Sequence, residues 1–164
     1  MREFTVDRLR VRVLNTRAEM GKAAAEACAA AMREALSQKE EINMIFAAAP
    51  SQNELLETLA SVARAEFPRV NAFHMDEYVG LPNAAPQRFA AFLKNALFGR
   101  VPMKSVNLLN SEAADADAEC ARYAALLRAR PCDVLCLGVG ENGHIAFNDP
   151  HVARFDDPET VKVV

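Results

Sequence analysis

Phe73-His-Met-Asp-Glu-Tyr-Val-Gly80 and Leu137-Gly-Val-Gly-Glu-Asn-Gly-His-Ile-Ala-Phe-Asn-Asp-Pro150 follow one pattern. Each continues an apolar run that reads as a β-strand, Val70–His74 in the first case and Val134–Val139 in the second. Each turns polar and acidic where that strand would end. Open α/β sheets bind ligands at the carboxyl ends of their strands. Asp76 and His144 therefore become candidate pocket groups. A carboxylate and an imidazole are enough to move protons on a carbon skeleton.

The flanking sequence alternates between strand and helix patterns. Leu9–Leu14 alternates apolar and basic residues and reads as a first strand. Ala18–Gln38 is alanine-rich with helical spacing. Ile42–Ala49 is almost wholly apolar, as a strand covered on both faces should be, and Pro50 breaks it. Ser51-Gln-Asn-Glu54 fits a capping box and predicts a helix from Gln52 to about Phe67. Leu81–Gln87 holds two prolines and reads as a loop. Arg88–Leu97 looks helical, with Phe89, Phe92 and Leu93 on one side. Val106–Leu109 is a weak strand, and Ser111 is expected to cap a helix over Glu112–Arg130. Thr160–Val164 begins another alternating strand, so the domain spanning residues 1–164 is expected to be the N-terminal portion of a longer one. Strands alternating with helices imply βαβ units and a parallel sheet, an α/β fold.

Composition narrows the function classes. At 164 residues, with 51% hydrophobic and 25% charged residues, the chain can bury one core. A net charge of -3, without a long run of one sign, argues against general nucleic-acid binding. No apolar run approaches a membrane span, so no membrane partner is expected. Cys28, Cys120, Cys132 and Cys136 read as reduced thiols of a cytoplasmic protein. Cys132 and Cys136 lack a second ligand cluster, so no metal is expected.

Three segments carry chemistry. In Ala47-Ala-Ala-Pro-Ser-Gln-Asn-Glu54 a strand ends at a small-residue turn and a helix start. Free N–H groups and the Ser51 hydroxyl there can hold a phosphate or sugar oxygen; a capped helix without a ligand is the plainer alternative. In Met75-Asp-Glu-Tyr78 adjacent carboxylates of an extended segment point to opposite sides, so one of Asp76 and Glu77 should face a pocket. The alternative is a solvated acidic loop. In Gly138-Val-Gly-Glu-Asn-Gly-His144 the glycines let the backbone turn tightly and approach a ligand, with Asn142 and Asp149 near enough in sequence to orient His144. A histidine that merely satisfies its loop is the alternative.

Taken in order, these segments closely resemble the signatures of the glucosamine-6-phosphate deaminases, also called isomerases, which are grouped with 6-phosphogluconolactonases of similar fold. The resemblance covers nearly the whole chain. It implies a doubly wound, mostly parallel Rossmann-like sheet with helices on both faces, incomplete at the C-terminal end, and binding no dinucleotide. It also implies conversion of glucosamine 6-phosphate to fructose 6-phosphate and ammonia, without cofactor or metal. By motif, Asp76 is the base that carries the C2 proton to C1. His144 serves ring opening, supported by Asn142 and Asp149. Ser51, Gln52, Glu77 and Gly143 are the expected substrate-binding residues.

The chain departs from the family pattern in several places. Asn142 and Asp149 stand where many members have Asp and Glu. The Ala-Ala-Ala-Pro stretch replaces a Gly-rich phosphate loop, and family chains continue well past Val164. The partner expected is a small sugar phosphate; a homo-oligomer is compatible with the sequence, which does not set the assembly. A lactonase of the same fold and a non-catalytic sugar-phosphate-binding remnant are the competing readings.

Overall fold

A computed structural model describes residues 1–164. Its centre is a four-stranded sheet in the order β5-β4-β3-β6. The strands are β3 (Ile42–Phe46), β4 (Val70–His74), β5 (Ser105–Asn107) and β6 (Val134–Cys136), and every pairing among them is parallel. The doubly wound α/β reading holds.

Residue alternation assigns the two faces. Val70 and Ala72 of β4 belong to the main apolar cluster, with Met32 and Leu36 of α1 (Arg17–Gln38) and Leu56 and Leu59 of α2 (Asn53–Val62). Leu93 of α3 (Phe89–Leu93) and Leu97 of the π-helical turn Lys94–Phe98 close the same side. The intervening Phe73 packs edge-on against Tyr123 of α4 (Ala116–Ala129), with ring centroids 6.0 Å apart. Both faces of β4 are thus covered, as a period of two requires in a buried parallel strand, whereas β6 is only Val134–Cys136 and its Leu135 is exposed, short of the buried strand expected over Val134–Val139.

Several elements differ from the sequence reading. Leu9–Val13 (β2) is a strand, but its partner is Arg2–Val6 (β1) in an antiparallel hairpin separate from the parallel sheet. Asp7 makes the hairpin turn with φ of 51°. Phe4, Val6, Leu9 and Val13 are all exposed on this hairpin. Thr160–Val164 forms no strand. A strand is a pairing, and alternation alone cannot supply a neighbour.

The capping box at Ser51 does not form. Pro50–Gln52 is a 3-10 turn, and α2 begins at Asn53 with no side-chain cap. Glu54 instead makes a two-pronged ion pair with Arg17, its oxygens 2.8 Å from Nε and Nη2. That hydrogen bond, aided by Glu54's own backbone, holds its carboxyl down to about 2. α2 stops at Val62, with Ala63 as its C-cap, and the chain enters β4 through the 3-10 turn Phe67–Arg69. The expected Ser111 cap is also absent. Ser111 is buried and donates to the Leu81 carbonyl at 2.6 Å, while Asp115 caps α4 by accepting from Ala118 N at 2.9 Å.

α1 and α2 form the largest helix contact, and Gly21 makes it close. A β-carbon on Gly21 would run into the Glu54 β-carbon and lie 2.8 Å from its backbone carbon. Midway along α1, Cys28 meets Cys136 of β6 with their sulfurs 3.5 Å apart, both as free thiols.

Gly21→Ala measures that close approach. Helix propensity alone would gain about 1 kcal/mol, but overpacking against the α2 backbone costs roughly 1–3 kcal/mol. Denaturant unfolding should therefore show a net loss, and a net gain would mean the two helices slide apart freely.

Candidate active site

The chain leaves β3 toward β4 on one side of the sheet, and β6 returns on the other. This reversal creates a crevice at the carboxyl ends of the strands, where such sheets bind ligands. Two hydrogen bonds extend the ladder to the site: Met75 N to Phe46 O at 3.0 Å and Ala47 N to Cys136 O at 2.9 Å. The segments after β3, β4 and β6 therefore leave the sheet side by side.

Asp76 follows β4 and lines a cavity of about 960 Å³ together with Tyr78, Gly143, Phe147 and Asp149. It is half-buried. Burial pushes its carboxyl from the ordinary 3.8 up to about 6; the charge of Glu77 pushes the same way, and the nearby His144 opposes them. A carboxylate with this environment is a usable proton acceptor near neutral pH.

The loop after β6 holds His144, Asn142 and Asp149 together. His144 Nδ1 lies 2.7 Å from Asn142 Oδ1, and Asn142 Nδ2 donates to Asp149 Oδ1 at 2.7 Å. The chemistry of these groups sets the direction. Asp149 as a carboxylate only accepts, so the amide nitrogen of Asn142 must face it. Oδ1 then faces His144, so Nδ1 carries the ring proton. Nε2 is left with its lone pair as the free acid/base position.

Backbone geometry makes this possible. Gly143 has φ of 87°, a conformation costly for other residues. A β-carbon on Gly140 would collide with the His144 ring, and Gly140 N donates to His144 O at 2.9 Å. Ala146 also has positive φ, 55°, a strained value for a residue with a side chain. It precedes Phe147, whose ring stacks on Phe89 at 5.7 Å and meets Tyr78 at 5.3 Å. Tyr78 follows β4, Phe89 opens α3 and Phe147 follows β6, so this aromatic trio joins the two site loops. Tyr78 and Phe147 in the two motifs were the available signal, and their pairing with each other and with Phe89 was not foreseeable from spacing.

Two positioning groups lie beneath. Tyr123 is buried; its hydroxyl donates to His74 O at 2.8 Å and accepts from His74 N at 3.1 Å. It clamps the end of β4 just before Asp76. Burial raises the Tyr123 phenol well above its ordinary range. His74 itself is buried, and desolvation lowers it to about 4, so it stays neutral.

The remaining expected residues sit elsewhere. Glu77 borders the cavity, but its carboxylate is turned inward with a side chain 2% exposed. Its oxygens accept from Phe89 N and Ala90 N, both at 3.0 Å, and lie 3.4 Å from Arg88 Nε. Those amides occupy the carboxylate that was expected to bind substrate. Ser51 and Gln52 are outside the Asp76 cavity. They lie behind Gly138, whose β-carbon would be 3.4 Å from both Ser51 Oγ and Gln52 Nε2. Gln52 is buried, and its Oε1 has no partner.

Fold and site together define an α/β protein with a half-buried carboxylate and a nearby imidazole at the carboxyl ends of the two parallel strands that flank β3. Residues 15–161 match the family described as glucosamine-6-phosphate isomerases/6-phosphogluconolactonase, and the chain belongs to that family. The glucosamine-6-phosphate deaminase of Listeria welshimeri is 39% identical over 124 residues, which are 76% of this chain and 52% of that protein. Glucosamine-6-phosphate deaminase 1 of Giardia intestinalis is 46% identical over 92 residues, 54% of this chain and 35% of that one. A monomeric glucosamine-6-phosphate deaminase superposes with a TM-score of 0.75 at 26% identity, covering 84% of this chain and 58% of its own. The 6-phosphogluconolactonase of Thermotoga maritima has the same fold, with a TM-score of 0.70 at 23% identity, covering 77% of this chain and 59% of its own. The chain spans about a third to a half of the length of these two curated relatives.

Asp76 binds its proton more tightly in the fold than the ordinary value of 3.8 allows. Its stability contribution is therefore fullest at low pH and is lost as pH rises through about 6. Asp76→Asn should stabilise the protein at pH ~8 by roughly 1–2 kcal/mol, after allowance for solvent screening. The gain should vanish below about pH 4 in unfolding curves taken across that range.

Proposed function

We propose that this domain, with the remainder of its family architecture, deaminates and isomerises an amino-sugar phosphate: glucosamine 6-phosphate and water yield fructose 6-phosphate and ammonia. The observation that carries this reading is the half-buried Asp76 beside an imidazole whose tautomer is set by Asn142 and Asp149. The printed names of the relatives support the choice of substrate.

The steps follow from the groups present. His144 Nε2 takes the O1 proton of the cyclic sugar and returns one to O5, which opens the ring. Asp76 takes the C2 proton and gives an enolamine across C1 and C2. It then delivers the proton to C1, leaving an imine at C2. Water adds to that carbon, and ammonia leaves as the ketone forms. No net redox change occurs, and one carboxylate serves both carbons of the 1,2-shift from the same face. The crevice holds the open chain, so the proton need travel only between neighbouring carbons. Ser51 and the backbone at Gly143 are suited to ligand oxygens, the first through its hydroxyl and the second through a close approach without a side chain. A cytoplasmic setting suits a soluble phosphorylated metabolite.

The test is ammonia release from glucosamine 6-phosphate, with solvent deuterium followed into C1 of the product. Asp76→Asn should lower turnover by about 10²–10⁴-fold. Activity should fall on the acid side as Asp76 gains its proton near pH 6. Hydrolysis of 6-phosphogluconolactone without ammonia release would overturn the deaminase reading in favour of the lactonase. Binding of the sugar without turnover would identify a non-catalytic remnant.

A further inference from the structure

Glu77 sits directly after Asp76 yet faces the interior. Its carboxylate accepts from Tyr78 N at 3.1 Å as well as from Phe89 N and Ala90 N at 3.0 Å. All three contacts reach acceptor oxygens, the arrangement of a carboxylate rather than a carboxylic acid. The last two are the first amides of α3, which have no partner within the helix. Arg88 Nε lies 3.4 Å and His74 Nε2 3.8 Å from the same oxygen, Oε2. Arg88 is in turn bonded to Asn83 Oδ1. A charged group this deeply buried is costly unless it is paired, and here three amides and Arg88 supply the pairing.

We propose that Glu77 is a positioning residue for Asp76: a fixed negative charge, clamped by the amides opening α3 and moderated by Arg88, that keeps its neighbour basic. This rests on the reading of Asp76 as the proton-transfer base.

The surroundings isolate the effect. His74, the last residue of β4 and two before Asp76, is neutral. His144, from the loop after β6, acts on Asp76 in the opposite direction. Across the cavity, Glu119 of α4 is paired with Arg122, and Asp157 with Lys162. Asp149 is engaged by Asn142. His151, Arg154 and Glu159 also line the cavity, but Glu77 and His144 are the charges that act on Asp76, and Arg88 is the close cation beside Glu77. Glu77 and Arg88 should move Asp76 in opposite senses, which a plain helix cap would not do.

The experiment is a ¹³C-detected carboxyl titration of Asp76 in the 164-residue chain. It needs no turnover, so its outcome is separate from that of the ammonia assay. Glu77→Gln should lower the Asp76 midpoint by roughly one pH unit, toward the ordinary aspartate value. Arg88→Gln should raise it, and Arg88→Lys should leave it near wild type. In a protein with measurable turnover, the acid limb of the pH–rate profile should move by the same amount, in kcat more than in KM. An unmoved Asp76 midpoint in Glu77→Gln, with the Phe89 and Ala90 amides still shifted as in a helix, would overturn the proposal. So would a fall in the midpoint on Arg88→Gln. If Glu77→Gln fails to fold, Arg88→Gln decides alone: a rise supports the proposal, and no change or a fall overturns it.

Discussion

Parallel hydrogen bonding of β3 to a strand on each side determines where every reactive group ends. In a parallel sheet all carboxyl ends lie on one edge, so whatever follows β3, β4 and β6 must emerge together. The two ladder bonds beyond the strands, from Met75 N and Ala47 N, carry that alignment into the loops. Asp76 and His144 are remote in sequence, and neither local propensity nor a turn could join them. Their meeting follows from β6 returning beside β3 rather than beyond β5. A slip of one residue in β4 would exchange Asp76 and Glu77 between the cavity and the interior, since side chains alternate along an extended chain.

That register is defended by polar groups rather than by apolar packing alone. Glu77 is tied to three amides, Tyr123 grips both backbone groups of His74, and Arg88 is buried beside them. Removing one partner of such a network strands the others in low dielectric, which costs more than the bond itself is worth. The network is therefore selective: only the register that satisfies all its members is stable. The aromatic trio of Tyr78, Phe89 and Phe147 adds a contact that is indifferent to charge. Together they hold the loop after β4 against the loop after β6, and the strain at Ala146 is sustained by that packing.

Legibility in the sequence followed the range of the interaction. The buried strands, the long first helix and the two acidic strand ends rest on runs of residue type, and these were readable. The clustering of His144, Asn142 and Asp149 was readable because all three lie within one loop. Caps were misread where a distant partner intervened. Glu54 prefers Arg17 to its own helix start, and Ser111 prefers the Leu81 carbonyl. The partners of Glu77 were hidden for the same reason, since its amides belong to a helix that begins a loop away. The hairpin partner of Leu9–Val13 and the failure of Thr160–Val164 to pair are properties of neighbours, which alternation does not encode.

Asn142 is where residue type bears most directly on chemistry. A carboxylate in its place would put negative charge against the imidazole and accept from it directly. The amide brings no charge, but its oxygen still accepts from the ring. One end must donate to Asp149 and the other must accept from His144, so the ring is oriented and its tautomer selected without a charge in contact. The charge is displaced to Asp149, whose Oδ1 is still 3.4 Å from His144 Nδ1. A shorter acid than Glu suffices at that position because the amide spans part of the distance. The two departures from the family pattern therefore fit one another in space: the imidazole is linked to Asp149 through Asn142.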